Sequence, residues 1–540
     1  MPIAQPQYPI RFTPKGLVDS LDATDKFPGA CLALTNLVFD QSNPELMVSR
    51  PGAASITSFS GITTPGVVSV QITVGTRTYG MISSARNAGK DEPFSYNNDT
   101  NTFDTVSGIT NANSPTTQPT TGAWTPPTMA VIGTQIIVTH PGFPGGATKF
   151  GYFDISTVGS PTWDAGDTAT NALPSTPTAV ANFANRAYYA CGQYLVYSDV
   201  LVPRTVTNAT QALTIGDTNT ISALQGLPVQ TSSSGVFQAL MVFKAFQVWQ
   251  VTGDSATSNL LINFLSLTVG TSSPRSIALS PRGLYFASIA GPYFIGQLGN
   301  VEAVTNSGQV TDPDIVSPFQ NAVTPSRIAG GYSNGIYRVC METIIRGTQA
   351  KNDYWFDERR RRWTGPHSFS YDCASQYSNY FILCSNDASG KLFKSQVIPD
   401  AGSAYTDNGV ATSAILQSST FPKTGRMTEK QVIESTIELA AAGQTTSYQI
   451  EAQDERETAL DTVSVSVGGG GGLWGSFVWG DGTLWSRSTN RPGVYNVPWS
   501  LPLVFKKVAL KITASSTTAL AIGTFFARYQ DTGYTNKEPA

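Results

Sequence analysis

Between residues 66 and 400 the chain delivers short apolar strands in pairs, and the pairs recur about every 40 to 50 residues. They read VVSVQITV with RTYGMISS, TQIIVTH with KFGYFDI, RAYYACG with YLVYSDV, FQALMVF with FQVWQVT, GLYFASI with GPYFIGQ, GIYRVCME with DYWFDER, and NYFILCS with KLFKSQV. β-branched and aromatic residues fill each run, and a short turn or polar loop joins its members. One such hairpin leaves its faces bare until neighbours stack on it. The spacing is that of a propeller blade, so an all-β fold with a β-propeller of about seven blades over 66–414 is expected. A β-sandwich would account for the strands but not for the period. Long helices are excluded because Gly, Pro and β-branched residues break any 3.6-residue pattern within about ten positions.

The repeat is visible residue by residue. GYFDISTVGSPTW (151–163) and YWFDERRRRW (354–363) share an aromatic pair, an Asp, a polar turn and a closing Trp. Asp154 and Asp357 are expected to cap their turns, with Phe153 and Phe356 before them and Trp163 and Trp363 returning on the next strand. The second turn carries Arg359, Arg360, Arg361 and Arg362 in a chain only 13% charged. Alternating strand positions cannot keep four adjacent arginines wet, so a turn at the blade rim is expected. Three roles remain open for it: a solvated turn, a salt bridge to a neighbouring subunit, or a nucleic-acid contact.

The chain ends have a different texture. The first 50 residues show no hairpin, and residues 1–65 read as a docking segment that leads into the propeller through RPG (50–52), which makes Arg50 and Pro51 interface candidates. In EKQVIESTIEL (429–439), Ile433, Ile437 and Leu439 are expected on one face and Glu434 and Glu438 on the other; in KKVALKIT (506–513), Val508, Leu510 and Ile512 alternate with Ala509 and Lys511. Residues 415–540 are therefore expected to form a separate C-terminal β-sandwich-like domain. It carries GGGGGLWGSFVWGDGTLW (468–485), whose Trp474, Trp479 and Trp485 are either interface anchors or sandwich core.

Little here points to catalysis. The net charge is −3 with a pI near 5.6, which weighs against tight wrapping of DNA. Neither a signal peptide nor a membrane span is expected from the apolar runs, which are short and broken. Five cysteines, Cys31, Cys191, Cys340, Cys373 and Cys384, lack CxxC spacing and read as buried thiols in a reducing compartment, with Cys373 and Cys384 facing each other on neighbouring strands. The two histidines, His140 and His367, read as solvated or hydrogen-bonded loop residues. No HExxH, GxSxG, P-loop or GxGxxG stands at a strand-to-helix junction, and Asp312 and Asp314 in TDPDI read as a capped turn rather than a calcium or glycosidase pair. No catalytic, metal or cofactor site is expected.

Several stretches carry a resemblance. PKGLVDSLDATDKFPGACLALTNLVFDQSNPELMVSRPGA, with its LTN and closing RPG, looks like the start of the tail nozzle (tail tubular) proteins of short-tailed bacteriophages. GLPVQTSSSGVFQALMVFKAFQVWQVTGD (226–254) and GTSSPRSIALSPRGLYFASIAGPYFIG (270–296) are similar to their propeller core, and GTFFARYQDTG (523–533) resembles their closing strand. The resemblance implies a structural virion protein of the podovirus tail, assembled in the host cytoplasm, forming a homohexamer below the portal and adaptor. It implies further a conduit and gate for double-stranded DNA, lateral sites for tail fibres or spikes, and host-envelope contact at the distal end. A mildly acidic wall suits a conduit, since basic walls would bind each phosphate in turn. The rival expectation is a phage glycan-binding or depolymerase propeller, which needs a cleft lined with carboxylates and aromatics.

Overall fold

The structure, a computed structural model, describes residues 7–19, 29–56, 65–84, 89–117, 125–166, 173–231, 235–254, 259–305, 315–345, 347–385, 392–399, 405–421, 429–442, 445–468, 492–500 and 502–533. Among these, helix is confined to one turn at Ser317–Gln320 and two 3-10 turns at Pro274–Ser276 and Pro325–Arg327. Each hairpin read from the sequence is an antiparallel ladder. The turns are chosen by backbone chemistry. Asn334 and Gly335 both sit at positive φ, 50° and 80°, between Ser333 and Ile336, the geometry whose twist matches the flanking strands.

The fold is all-β and contains a β-propeller. Six four-stranded antiparallel blades stand alone among the described residues: 65–104, 128–165, 179–214, 223–266, 278–303, and 371–396 with Ala53–Ser55 as its outer strand. Four further strands, from Ala329–Ser333 to Arg362–His367, form the same meander but open an eleven-stranded sheet. The inner strand Pro65–Val74 contacts Thr128–Ile132, which contacts Ala179–Phe183 and through it Ala223–Thr231. Ala278–Ser280 contacts Ala329–Ser333, then Tyr371–Tyr377, which returns to Pro65–Val74. The apolar cores therefore lie between sheets. Val70, Tyr79 and Met81 pack with Ile136, Val138, Phe153 and Trp163, for example, and Val339, Phe356 and Trp363 with Ala278 and Tyr285.

The chain ends are woven together. Leu520–Gly533 pairs with Gln7–Phe12, Met47–Ser49 and Glu429–Ala441 in one sheet. Ala30–Thr35, Val410–Ser418, Ala509–Ser516, Thr446–Gln453 and Ala459–Val467 continue the eleven-stranded sheet. The two sheets share one core, in which Phe12, Leu34 and Leu37 from the start of the chain meet Ile437, Ile450, Ile512 and Phe525 from its end. The expected boundary at 414/415 falls inside the strand Val410–Ser418.

Two local expectations are corrected. Residues before 50 do contain a hairpin-like pair, Leu37–Phe39 with Met47–Ser49, across a loop whose Ser42 and Asn43 amides donate to Asp40 Oδ1 at 2.8 Å each. In Glu429–Ala441 the register shifts between Val432 and Glu434, so Ile433 turns outward and is 47% exposed while Val432 packs on the core. Ile437 and Leu439 are buried as the alternation requires, and so are Val508, Leu510 and Ile512.

Candidate functional site

The arginine turn is built on the frame that the sequence repeat predicts. Phe356 faces Trp363 across the strands with ring centroids 5.1 Å apart, and the Trp363 indole donates to the Val304 carbonyl at 3.3 Å. Asp357 Oδ1 accepts the amides of Arg359 and Arg360 at 3.0 and 3.1 Å, which closes the turn. Arg361 occupies the left-handed region at φ 53°. The neighbouring Glu358 carboxylate is buried and accepts the Tyr285 hydroxyl at 2.9 Å and the Tyr332 hydroxyl at 2.6 Å. Burial and then Glu358 push both tyrosines up in pKa, while Arg282 and Arg359 pull Tyr332 the other way. Arg282 and Arg359 thus both act on the Tyr332 hydroxyl.

The four arginines are not equivalent. Arg360 Nη1 pairs with Asp357 Oδ2 at 2.9 Å and its Nη2 donates to the Asp40 carbonyl, so its charge is spent inside the chain. Arg362 is half-buried, with its Cβ and Cδ lying close to Gly16. Arg359 and Arg361 are exposed, as is Arg282. What the turn presents to a partner is this smaller set.

Arg50 and Pro51 lie elsewhere, and neither reaches the surface. Arg50 is 1% exposed; its Nε donates to Asn36 Oδ1 at 2.9 Å, its Nη1 to Asp407 Oδ1 at 3.0 Å, and its Nη2 to Asp407 Oδ2. Asn36 Oδ1 also accepts the Ser368 amide at 3.1 Å, and the Asn36 amide donates to His367 Nδ1 at 3.0 Å. A Cβ on Gly52 would stand 2.0 Å from the Thr406 carbonyl oxygen, so the segment admits only glycine after Pro51. A surface contact through Arg50 and Pro51 is corrected to an internal lock. Truncating such a buried guanidinium leaves an uncompensated carboxylate behind. Trp474, Trp479 and Trp485 lie outside the described residues, and so do Asp312 and Asp314.

Neither histidine is solvated. His140 donates through Nε2 to Asp91 Oδ2 at 3.0 Å and accepts the Gly142 amide on Nδ1 at 2.9 Å. His367, at the end of a strand rather than in a loop, accepts from Asn36 and meets Thr364 Oγ1 through Nε2 at 3.2 Å. Burial, then the Arg50 and Arg338 charges, hold His367 far below the usual imidazole range. With both ring nitrogens engaged and the rings buried, neither offers a free base to a substrate. All five cysteines are buried free thiols, and Cys373 stands opposite Cys384 in register as the pattern predicts.

Two features carried no sequence signal. The outermost strand of the 223–266 blade, Asn259–Ser266, exposes Leu261 by 63% and Phe264 by 64% and bears no charge. Its edge is unpaired among the described residues, and with its apolar side chains it resembles a strand awaiting a neighbour. The other is a cavity among the inner strands, lined by Gln71, Asn182, Gln225 and Arg275 among others.

No protein-family model matches the chain. No curated protein matches it either. Solved structures do: a puromycin-hydrolyzing peptidase of Mycobacterium tuberculosis aligns at 10% identity and TM-score 0.38, over 68% of this chain and 61% of that one. The Dos1 propeller aligns at 10% identity and TM-score 0.34, over 68% and 93%. A glycoside hydrolase family 43 arabinoxylan arabinofuranohydrolase from Bacillus subtilis aligns at 10% and 0.26, over 89% and 99%. The chain spans only 61% of the peptidase's length. The neighbours thus include hydrolases, and likeness at this level says nothing of this chain's chemistry.

Proposed function

We propose that the chain is a nozzle-type structural protein of a short-tailed phage tail, assembled as a homohexameric conduit for genome ejection that docks an adaptor and fibres or spikes. The observation that carries this reading is a convergence. LTN supplies Asn36, RPG supplies Arg50 and Gly52, and these meet Asp407 and His367 in one buried junction. GTFFARYQDTG forms the strand that pairs with Gln7–Phe12 and Glu429–Ala441 beside it. The opening and closing segments that resemble the nozzle family thus lie in one continuous piece of architecture. In this reading the meander 329–367 is a seventh blade fused to a sandwich, and the sandwich is a second domain built from both chain ends.

Two surfaces favour assembly. Arg359 and Arg361 of the turn, and Arg282, are exposed cations suited to carboxylates of a neighbouring subunit or adaptor. The uncharged edge Asn259–Ser266 is an apolar strip of the kind that marks contact surfaces. The rival, a glycan-binding or depolymerase propeller, would use the axial cavity as its cleft, but no carboxylate lines it among the described residues. Sedimentation of the purified chain across a concentration series, with and without its adaptor, tests the reading. A species of six times the 57.5 kDa chain mass is expected. A monomer under both conditions, or a compact trimer, would overturn it.

A further inference from the structure

A second cavity, of about 530 Å³, is lined by the hairpin of Thr406–Asp407 with Val410–Ser418, by Asn36 from the start of the chain, and by the residues that lead into the blade 371–396. The volume falls within the range of small-molecule sites, roughly 300–1,000 Å³. Its wall has two chemistries. Phe369 meets Phe393 edge to face, with ring centroids 5.2 Å apart, which makes one part aromatic. Much of the rest is neutral and polar, including the Ser368 and Ser370 hydroxyls and the exposed Asn408 amide.

Asp407 is the one charged residue in this lining among the described residues, and its charge is already met from the buried side. Arg50 Nη1 donates to Asp407 Oδ1 at 3.0 Å and Nη2 to Oδ2, while the Ala53 amide donates to Oδ1 at 3.1 Å. A carboxylate offers about four lone-pair sites, and these bonds take three of them. The remaining site, on Oδ2, belongs to a side chain that is 18% exposed. Ser368 Oγ likewise gives its proton to Asn36 Oδ1 at 3.1 Å and keeps its own oxygen as an acceptor. An anion would meet these acceptors without a cation to hold it, and a cation would meet a carboxylate that Arg50 has neutralised. A neutral molecule with hydroxyls to donate and a C–H face to lay on phenyl rings matches both parts of the wall.

We propose that this cavity binds a neutral sugar, with Phe369 packing on its C–H face and Asp407, Ser368 and Asn408 meeting its hydroxyls. One carboxylate, already shared with Arg50, supplies no acid–base pair, so the site holds the sugar without cleaving it. It stands whether or not the chain assembles into a tail. Isothermal titration of the full chain with glucose, N-acetylglucosamine and glucuronate tests it. At least one neutral sugar saturates by about 10 mM and binds at least tenfold more tightly than glucuronate. Asn408 sits at φ 51°, so N408G keeps the left-handed backbone while removing the amide, and F369A removes the ring. Each weakens that sugar at least fivefold with unchanged circular dichroism; should F369A fail to fold, N408G decides alone. No saturation by either neutral sugar at about 10 mM, glucuronate binding as tightly, or undiminished binding in a folded variant overturns the proposal.

Discussion

The turns after Phe153 and Phe356 have one frame and two fates. Both close on an Asp: Asp154 Oδ1 takes the Ser156 amide at 2.9 Å, and Asp357 Oδ1 takes two amides. Both set Phe against Trp, edge-on at 5.0 Å in the first and tilted at 5.1 Å in the second, and both indoles donate to a carbonyl of another segment, Asn113 or Val304. Beyond the frame they part. The first turn is neutral, ends in an exposed Val158, and rests against Arg77, which is paired with Asp104 at 2.7 Å. The second carries its own arginines, ties Arg360 back to Asp357, and is braced by Glu358 on two tyrosines. A frame shared by two meanders makes a hairpin, and extra anchoring on one of them holds a charged surface in place.

The comparison breaks most easily at its shared part. Trp163→Ala and Trp363→Ala remove side chains that are 1% and 0% exposed, so each should cost about 3–5 kcal/mol in urea unfolding. A cost below about 1 kcal/mol for either would show that the frames are not equivalent. The caps come next. Asp357→Ala forfeits two backbone bonds and an ion pair and should cost about 2 kcal/mol, against about 1 kcal/mol for Asp154→Ala, which forfeits one bond. Equal costs would remove the claim of extra anchoring. Smallest for the isolated chain is Arg359→Ser with Arg361→Ser: stability stays within about 0.5 kcal/mol, since both are exposed, while assembly weakens, and does so most at low salt. A loss of stability instead would make the turn a folding element only.

A pH experiment probes the junction that braces the second turn's strand. His367 has a native pKa below its unfolded value, so the unfolded chain binds a proton that the native chain refuses. Stability is fully present above the ordinary histidine pKa of about 6.5 and declines as pH falls below it, by at most about 1.4 kcal/mol per pH unit for this group. His367→Asn should flatten that acid slope by one proton's worth. An unchanged slope would show that His367 takes up its proton in the native state.

How much of this was legible follows from sequence distance. The hairpins could be read because each strand's partner stands within about ten residues, and Phe, Asp and Trp at fixed offsets marked the repeated turn. The blade 371–396 was legible only in part, for its outer strand, Ala53–Ser55, comes from the other end of the chain. Arg50 looked like a surface candidate because its partner, Asp407, is 357 positions away and no local pattern announces it. The same holds for Asn36 and His367, separated by 331 positions. Arg275 sits in a short polar connection, and only closure of the ring brings it to the cavity with Gln71 and Asn182. Ile433 went astray through a bulge, which turns the side chain at the shift to the other face and leaves no mark in an alternating pattern.

The central claim, a ring-forming conduit rather than a catalyst, is tested most directly by imaging the assembled protein down its axis by negative-stain microscopy. The account predicts a six-fold ring with a central hole that passes duplex DNA, lost when Arg359 and Arg361 are replaced by Ser. Particles that remain single propellers in the presence of the adaptor, or close as solid trimers, would contradict it.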